Sequence, residues 1–136
     1  MASILKVDTL TGVTTAGSIS VTGEGNSTTT NLQQGLSKAW VNFNATSTAA
    51  IRDSLNHSSL TDNGTGDFTL NYSSAMGNAN YCQTEAASRY HAVIADATGF
   101  SAADPTTTTA RWQFYASGPS ISDGHYSCVA VLGDLA

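Results

Sequence analysis

Residues 62–72 read DNGTGDFTLNY, and this stretch predicts a β-hairpin turn followed by a strand. Its Asn-Gly and Thr-Gly pairs provide residues that accept positive φ, which the tight turn of a hairpin requires. After the turn, Phe68, Leu70 and Tyr72 alternate with polar residues, so one side of the strand is apolar and the other is polar. The stretch therefore indicates antiparallel β-structure.

Short segments of similar character recur along the chain. The predicted strands are residues 39–44, 50–55, 68–72, 79–84, 90–97, 110–116 and 127–132. No segment carries an apolar period of 3.6 residues that is long enough for a substantial helix. Six or seven short strands separated by turns are typical of an all-β fold, and we predict an antiparallel β-sandwich or jelly-roll-like domain.

The apolar positions of these strands give the expected core. In the strand at 39–44, Val41 and Phe43 share one face and Trp40 takes the other. The residues expected in the core or at a subunit interface are Trp40, Val41, Phe43, Phe68, Leu70, Tyr72, Val93, Ile94, Trp112, Phe114, Val129 and Val131.

The composition agrees with strands and limits the possible partners. The 136 residues are only 11% charged, and Thr, Ser, Asn and Gly take the place of charged residues. Such short polar side chains favour strands and turns over a helical bundle. The net charge of −5 leaves too few cations to neutralise a run of phosphates, so we expect no nucleic-acid partner and no polybasic membrane contact. No apolar run reaches the length of a transmembrane helix, so we expect no membrane insertion.

The first 35 residues differ from the rest of the chain. Residues 9–31 are rich in Thr, Ser and Gly and contain no aromatic residue, so they cannot form a core alone. Ile4, Leu5 and Val7 form a short apolar patch at the start of this segment. We therefore predict an extended N-terminal anchoring arm over residues 1–35 and a β-sandwich domain over residues 36–136. The first ten residues do not have the pattern of a signal peptide, so we expect synthesis in the cytoplasm.

The two cysteines, Cys82 and Cys128, both lie in strand-like segments. In a cytoplasmic product we expect two buried thiols that act as small apolar residues. A disulfide is the alternative, and it requires that the two strands be neighbours.

None of the usual motifs of catalysis or metal binding is present. His57, His91 and His125 each stand without a second ligand at metal-binding spacing, and there is no G-x-S-x-G elbow. Asp62 and Asp67 bracket a run that resembles part of a calcium loop, but a turn capped by Asx side chains is the simpler interpretation. We therefore predict no catalytic, cofactor-binding or metal-binding residues, and a protein that is not an enzyme. A hydrolase such as a depolymerase would need clustered carboxylates in a groove.

Four aromatic residues have two possible roles. Trp40, Trp112, Tyr115 and Tyr126 could stack on sugar rings, but at strand spacing such residues are more often part of the core or of an interface. In the sugar-binding interpretation, the loops at 101–109 and 117–126 would carry the remaining contacts.

Three segments resemble those of bacteriophage structural proteins, particularly from marine and cyanobacterial phages. They are residues 2–12 (ASILKVDTLTG), 35–55 (GLSKAWVNFNATSTAAIRDSL) and 59–81 (SLTDNGTGDFTLNYSSAMGNANY). The resemblance implies a non-enzymatic virion protein that is β-rich, often a homotrimer, and bound to capsid or tail subunits. The chain is shorter than fibres of this kind, which favours a short fibre or a capsid decoration. The alternative is a tail-fibre tip module that binds a host receptor or glycan.

Overall fold

The computed structural model of the chain describes residues 4–12, 19–23, 28–88, 91–94, 104–115 and 120–135. For residues 33 and 91–94 it describes the backbone only. The chain divides into two compact units, Met1–Leu36 and Ser37–Ala136.

The first unit contains a small β-ribbon and a single helical turn. Strand β1 (Ser20–Thr22) pairs antiparallel with β2 (Thr29–Asn31), and α1 (Leu32–Gly35) follows directly. The Leu32 amide donates to the Ile19 carbonyl at 2.9 Å and ties the turn to the ribbon. Ile4 and Leu5 are 78% and 80% exposed. Among the described residues of this unit, no side chain is fully buried.

The described residues of the second unit form eight strands. These are β3 (Ser37–Asn44), β4 (Ala50–Leu55), β5 (His57–Gly64), β6 (Asp67–Tyr72), β7 (Cys82–Ala87), β8 (His91–Ile94), β9 (Thr109–Tyr115) and β10 (Ser127–Leu132). They make two antiparallel four-stranded sheets, the first with order β4-β3-β10-β7 and the second with order β5-β6-β9-β8. The predicted all-β sandwich is confirmed.

The chain passes from the first sheet to the second between β4 and β5, at a corner formed by Asn56. This residue has φ of 58°, a left-handed conformation that Asn tolerates better than most residues. Its side-chain oxygen accepts the Ser74 amide at 2.7 Å, and its Nδ2 donates to the Ser74 carbonyl at 3.1 Å. The corner is thereby fixed to the chain segment that follows β6.

The two sheets pack through three phenylalanine rings. Phe43 of the first sheet lies with its ring centroid 5.4 Å from that of Phe68 and 5.8 Å from that of Phe114, both of the second sheet. The rings meet edge to face, a favourable geometry for aromatic pairs. All three side chains are fully buried.

Most of the predicted core is confirmed. The predicted residues that are buried are Val41, Phe43, Phe68, Leu70, Tyr72, Trp112, Phe114, Val129 and Val131. Trp40 is half-buried on the opposite face of β3, as the alternation predicts. The side chains of Val93 and Ile94 lie outside the described part of the structure. Ala39 and Met76 are not among the predicted core residues, but both are buried in the same core.

The strand predictions fail at two places. Strand β7 begins at Cys82, three residues later than the predicted segment 79–84. Strand β5 was not predicted, because its sequence HSSLTDNG is almost entirely polar. It lies at the edge of the second sheet, and its one apolar residue, Leu60, packs against the core. An edge strand with one solvated face needs few apolar residues.

The predicted hairpin turn forms between β5 and β6. Gly64 and Gly66 have φ of 131° and 66°, the positive values for which their positions were singled out. The Gly64 amide donates to the Asp62 carboxylate at 2.9 Å, so the Asx-capped turn is confirmed. A Cβ on Gly66 would lie 2.6 Å from the Ser122 amide nitrogen, because the turn packs closely on that segment.

The expectation of two buried thiols is wrong. Cys82 is exposed and Cys128 is half-buried, and both are free. Their strands are neighbours, but the register places Cys82 opposite Leu132 and Cys128 opposite Ala86. Both thiols lie on the face of the first sheet that points away from the core, because both are out of phase with Val129 and Val131.

The ring cluster predicts a large loss of stability for Phe43→Ala. Removing a fully buried ring costs about 3–5 kcal/mol of unfolding free energy, through lost burial and the cavity left behind. Urea denaturation measures this. The matched control is Leu55→Ala on the outer face of the neighbouring strand, where the side chain is 46% exposed. Equal losses for the two variants would contradict this account of the core.

Candidate functional site

The two outer faces of the sandwich differ in chemistry. On the second sheet, the outward residues of β5, β6 and β9 are polar apart from the ring of Tyr115. They are Ser59, Thr61, Asn63, Asp67, Thr69, Asn71, Arg111, Gln113 and Tyr115. On the first sheet, outward positions are mostly apolar or small, and include Trp40, Leu55, Cys82, Ala86, Cys128, Ala130 and Leu132. The outer face of the first sheet is therefore the better candidate for a contact surface.

On the second sheet, Asp67 is the centre of a hydrogen-bond network. Arg111 donates through Nε to Asp67 Oδ1 at 2.7 Å and through Nη2 to Oδ2, while Gln113 Nε2 donates to Oδ2 at 3.0 Å. Asn63 Nδ2 adds a fourth bond at 3.2 Å. Burial alone would raise the pKa of Asp67, but these donors outweigh it and hold the pKa below its usual value. The carboxylate is therefore fully engaged within the sheet.

The first sheet carries a shallow groove of about 370 Å³ on its outer face. The ring of Trp40 and the polar side chains of Asn42 and Thr84 line it, with the small side chains of Cys128 and Ala130 between them. Ligand sites of proteins combine an apolar surface with a few polar groups and have comparable volumes. The arrangement suits a small polar ligand with one apolar side.

An exposed aromatic cluster adjoins this groove at Asn42. Arg52 lies in a bulge of β4 and donates to Asn42 Oδ1 at 3.2 Å and to the Phe43 carbonyl at 2.9 Å. Its guanidinium carbon lies 4.3 Å from the ring centroid of Tyr126, which is 53% exposed. His125 packs against the same ring at 4.9 Å. The cluster presents a fixed aromatic surface at the end of the sheet.

The structure separates the four aromatic residues singled out in the sequence. Trp112 is 1% exposed and belongs to the core. Tyr115 is half-buried and donates to Gln113 Oε1 at 2.9 Å within the Asp67 network. Trp40 and Tyr126 are the two that reach the outer side of the first sheet. Of the two candidate loops, residues 104–109 and 120–126 are described, and Tyr126 belongs to the second.

The groove itself was missed at the sequence level. The alternation of β3 places Trp40 and Asn42 together on one face, which is a usable signal. Thr84 comes from β7, more than 40 positions along the chain, and only the pairing of β7 with β10 brings it near Trp40. Nothing in the local sequence indicates that pairing.

The histidines have separate environments. His57 is half-buried with its ring centroid 5.2 Å from that of Tyr72, and burial lowers its pKa. His125 is exposed beside Tyr126. The side chain of His91 lies outside the described part of the structure. Within the described ranges, no group of three or more His, Cys, Asp or Glu side chains is placed to hold a metal ion.

Comparison with known proteins returns no match: no protein-family model, no curated protein and no solved structure is similar to the chain. Over the residues that the structure describes, no helix has the length and apolar character needed to cross a membrane.

The burial of His57 predicts a loss of stability in mild acid. Because its pKa is lower in the folded chain than in the unfolded chain, the unfolded state takes up the proton first. The contribution of His57 is therefore complete above about pH 6.5 and is lost as the pH falls below that value. Urea denaturation between pH 8 and pH 5 measures the change, and His57→Phe should flatten it. An unchanged profile in that variant would contradict the assignment to His57.

Proposed function

We propose that the protein is a non-enzymatic structural subunit of a phage-type virion, a short fibre or capsid decoration that its first unit anchors to the particle. One observation carries this proposal. The sandwich encloses its own core, whereas Ile4, Leu5, Val7 and Leu10 in the first unit are all at least 55% exposed. Apolar side chains outside any core of their own gain stability by burial against another chain.

The chemistry of the sandwich supports a structural role. Among the described residues, Asp67 carries the one buried carboxylate. Its oxygens accept hydrogen bonds from Arg111, Gln113 and Asn63, and these bonds connect β5, β6 and β9. A carboxylate held in this way stabilises the sheet and is a poor general base, because its pKa is lowered. The network thus acts within the fold.

The partners that we propose for the first unit are capsid or tail subunits of the same particle. Assembly as a homotrimer is part of the proposal, since closed symmetry lets several weakly held anchors act together. The low charge of the chain, 11%, suits an apolar and hydrogen-bonded contact better than an electrostatic one.

Deletion of residues 1–35 tests the anchoring function. We expect the remaining sandwich to keep its circular-dichroism spectrum and cooperative unfolding but to be lost from particles assembled in infected cells. A second variant with Ile4→Ser, Leu5→Ser and Val7→Ser should also be lost, because it removes the apolar surface and keeps the length. The control is Thr9→Ser, which leaves that surface in place. Incorporation of both altered proteins at the wild-type level would reject the proposal.

A second candidate function is favoured by the groove on the first sheet. Sugar rings stack their C–H faces on aromatic rings, and the amide of Asn42 and the hydroxyl of Thr84 are suitable partners for sugar hydroxyls. None of the residues that line the groove is Lys or Arg, so a neutral glycan fits better than an anionic one. The protein would then be a receptor-binding module.

Trp40→Ala tests this second function. If the assembled protein binds a neutral glycan on an array, the variant should lose at least tenfold in affinity, since truncating a central tryptophan of a binding site commonly costs about 2 kcal/mol or more. Leu55→Ala, on the same face but outside the groove lining, should bind like the wild type. An array that stays blank for the wild-type oligomer would reject the receptor function and leave the anchoring function standing.

A further inference from the structure

The edge strands of the sandwich differ in how well they are protected. The pairing of β4 with β3 shifts at Arg52, and the pairing of β5 with β6 shifts twice. Such bulges twist an edge and hinder pairing with another chain. Strand β8 is only four residues long. Of the edge strands in the described part of the chain, only β7 combines a length of six residues with an unbroken register against its neighbour, β10.

Within the described ranges, no strand lies along the free side of β7. Cys82, Thr84, Glu85 and Ala86 are all exposed, and β7 contains neither Pro nor Lys. Among the described residues, β10 is its one strand partner, so a row of backbone N–H and C=O groups faces outward. A regular edge with one charged residue is well suited to accept another strand.

We propose that β7 pairs antiparallel with β7 of a second copy of the chain across a twofold axis. The two first sheets would then form one continuous sheet of eight strands. This contact goes beyond the proposed anchoring, because it joins copies to each other and does not involve the first unit.

The faces of the strand restrict the register of this pairing. Cys82, Thr84 and Ala86 point to the outer side of the sheet, whereas Gln83 and Glu85 point to the inner side. A twofold axis perpendicular to the sheet keeps the outer faces on one side, so opposed residues must share a face. The axis therefore lies where one residue of β7 is opposite the same residue of the second copy. It cannot lie where a residue is opposite its neighbour in sequence, because those two side chains point to different faces.

Charge selects one of the two remaining registers. Both registers that overlap five residues of β7 are centred on a single residue, Thr84 or Glu85. Centring on Glu85 would set two carboxylates directly opposite each other, which is destabilising. Centring on Thr84 pairs the two threonines, a favourable combination, and sets Glu85 opposite Gln83 of the second copy. It also sets Cys82 opposite Ala86 of the second copy.

The contact is weak for isolated copies. Five overlapping residues bury much less than the roughly 1,200–2,000 Å² of a stable interface, so association should be reversible and concentration-dependent. Copies anchored side by side on a particle have a high effective concentration, which favours the same contact there. In the paired form, the two copies of β3, each with its Trp40, would lie five strand spacings apart, about 24 Å.

Sedimentation of the full chain measures the association. We expect the mass to rise with concentration from one copy of 14.0 kDa towards two, or from three copies towards six if trimers form. Thr84→Lys sets two ammonium groups opposite each other at the axis and should raise the dissociation constant at least tenfold. Thr84→Val, which keeps a β-branched side chain, should associate like the wild type. Since Thr84 is exposed, both variants should unfold at the wild-type temperature.

Cysteine cross-linking tests the register. All variants carry Cys128→Ser, because Cys128 lies opposite Ala86 within the same chain and would capture a thiol placed there. In that background, Ala86→Cys should give covalent dimers with oxidised glutathione, which takes up the two electrons and protons that the two thiols lose. The link joins position 86 of one copy to Cys82 of the other, since opposed Cβ atoms are about 4.5–5.5 Å apart. The background itself should not link, because the two Cys82 residues would lie roughly 14 Å apart.

The control for the cross-link is Ala86→Cys combined with Cys82→Ser, which should give no more covalent dimer than the background. Three results would each overturn the proposal: a chain that stays monomeric at every concentration, association that Thr84→Lys leaves unchanged, or equal cross-linking with and without Cys82. A trimer that shows no further association would overturn it as well.

Discussion

The contact of Phe43 with Phe68 and Phe114 joins the two sheets, and it determines which residues of β3, β6 and β9 face the core. Because these rings point inward, the residues on either side of them in sequence must point outward. This alternation puts Trp40 on the outer side of β3 and Arg111 on the outer side of β9. The polar network of one face and the groove of the other are thus consequences of how the core is filled.

Local patterns in the sequence account for much of the fold. Strands β4 and β10 lie at the residues predicted for them, because each is a compact run bounded by turn residues. Strand β5 was invisible, since a polar edge strand looks like a loop until its partner β6 is known. The candidate site was harder to predict, because its parts meet only through pairing at a distance. Trp40 and Thr84, for example, come from strands β3 and β7, which are joined only through β10.

The two outer faces suggest a division of roles within the sandwich. The network around Asp67 satisfies its own polar groups, so that face needs only water beside it. The outer face of the first sheet carries the ring of Trp40 and two free thiols, and strand β7 forms one edge of that sheet. Over the described residues, no comparable network of hydrogen bonds links these groups to one another. Interactions with a ligand or with further copies of the chain would therefore concentrate on the first sheet.

The pairing of β3 with β10 brings together the first and last strands of the sandwich, with Ser37 opposite Leu132. A growing polypeptide that has just left the ribosome can form the β5–β6 hairpin early, but β3 has to wait for almost the whole chain before its central partner exists. Contacts of such long sequence separation slow folding and prolong the exposure of unpaired strands. Synthesis of the protein thus includes a period in which the side of β3 that later pairs with β10 has no strand beside it.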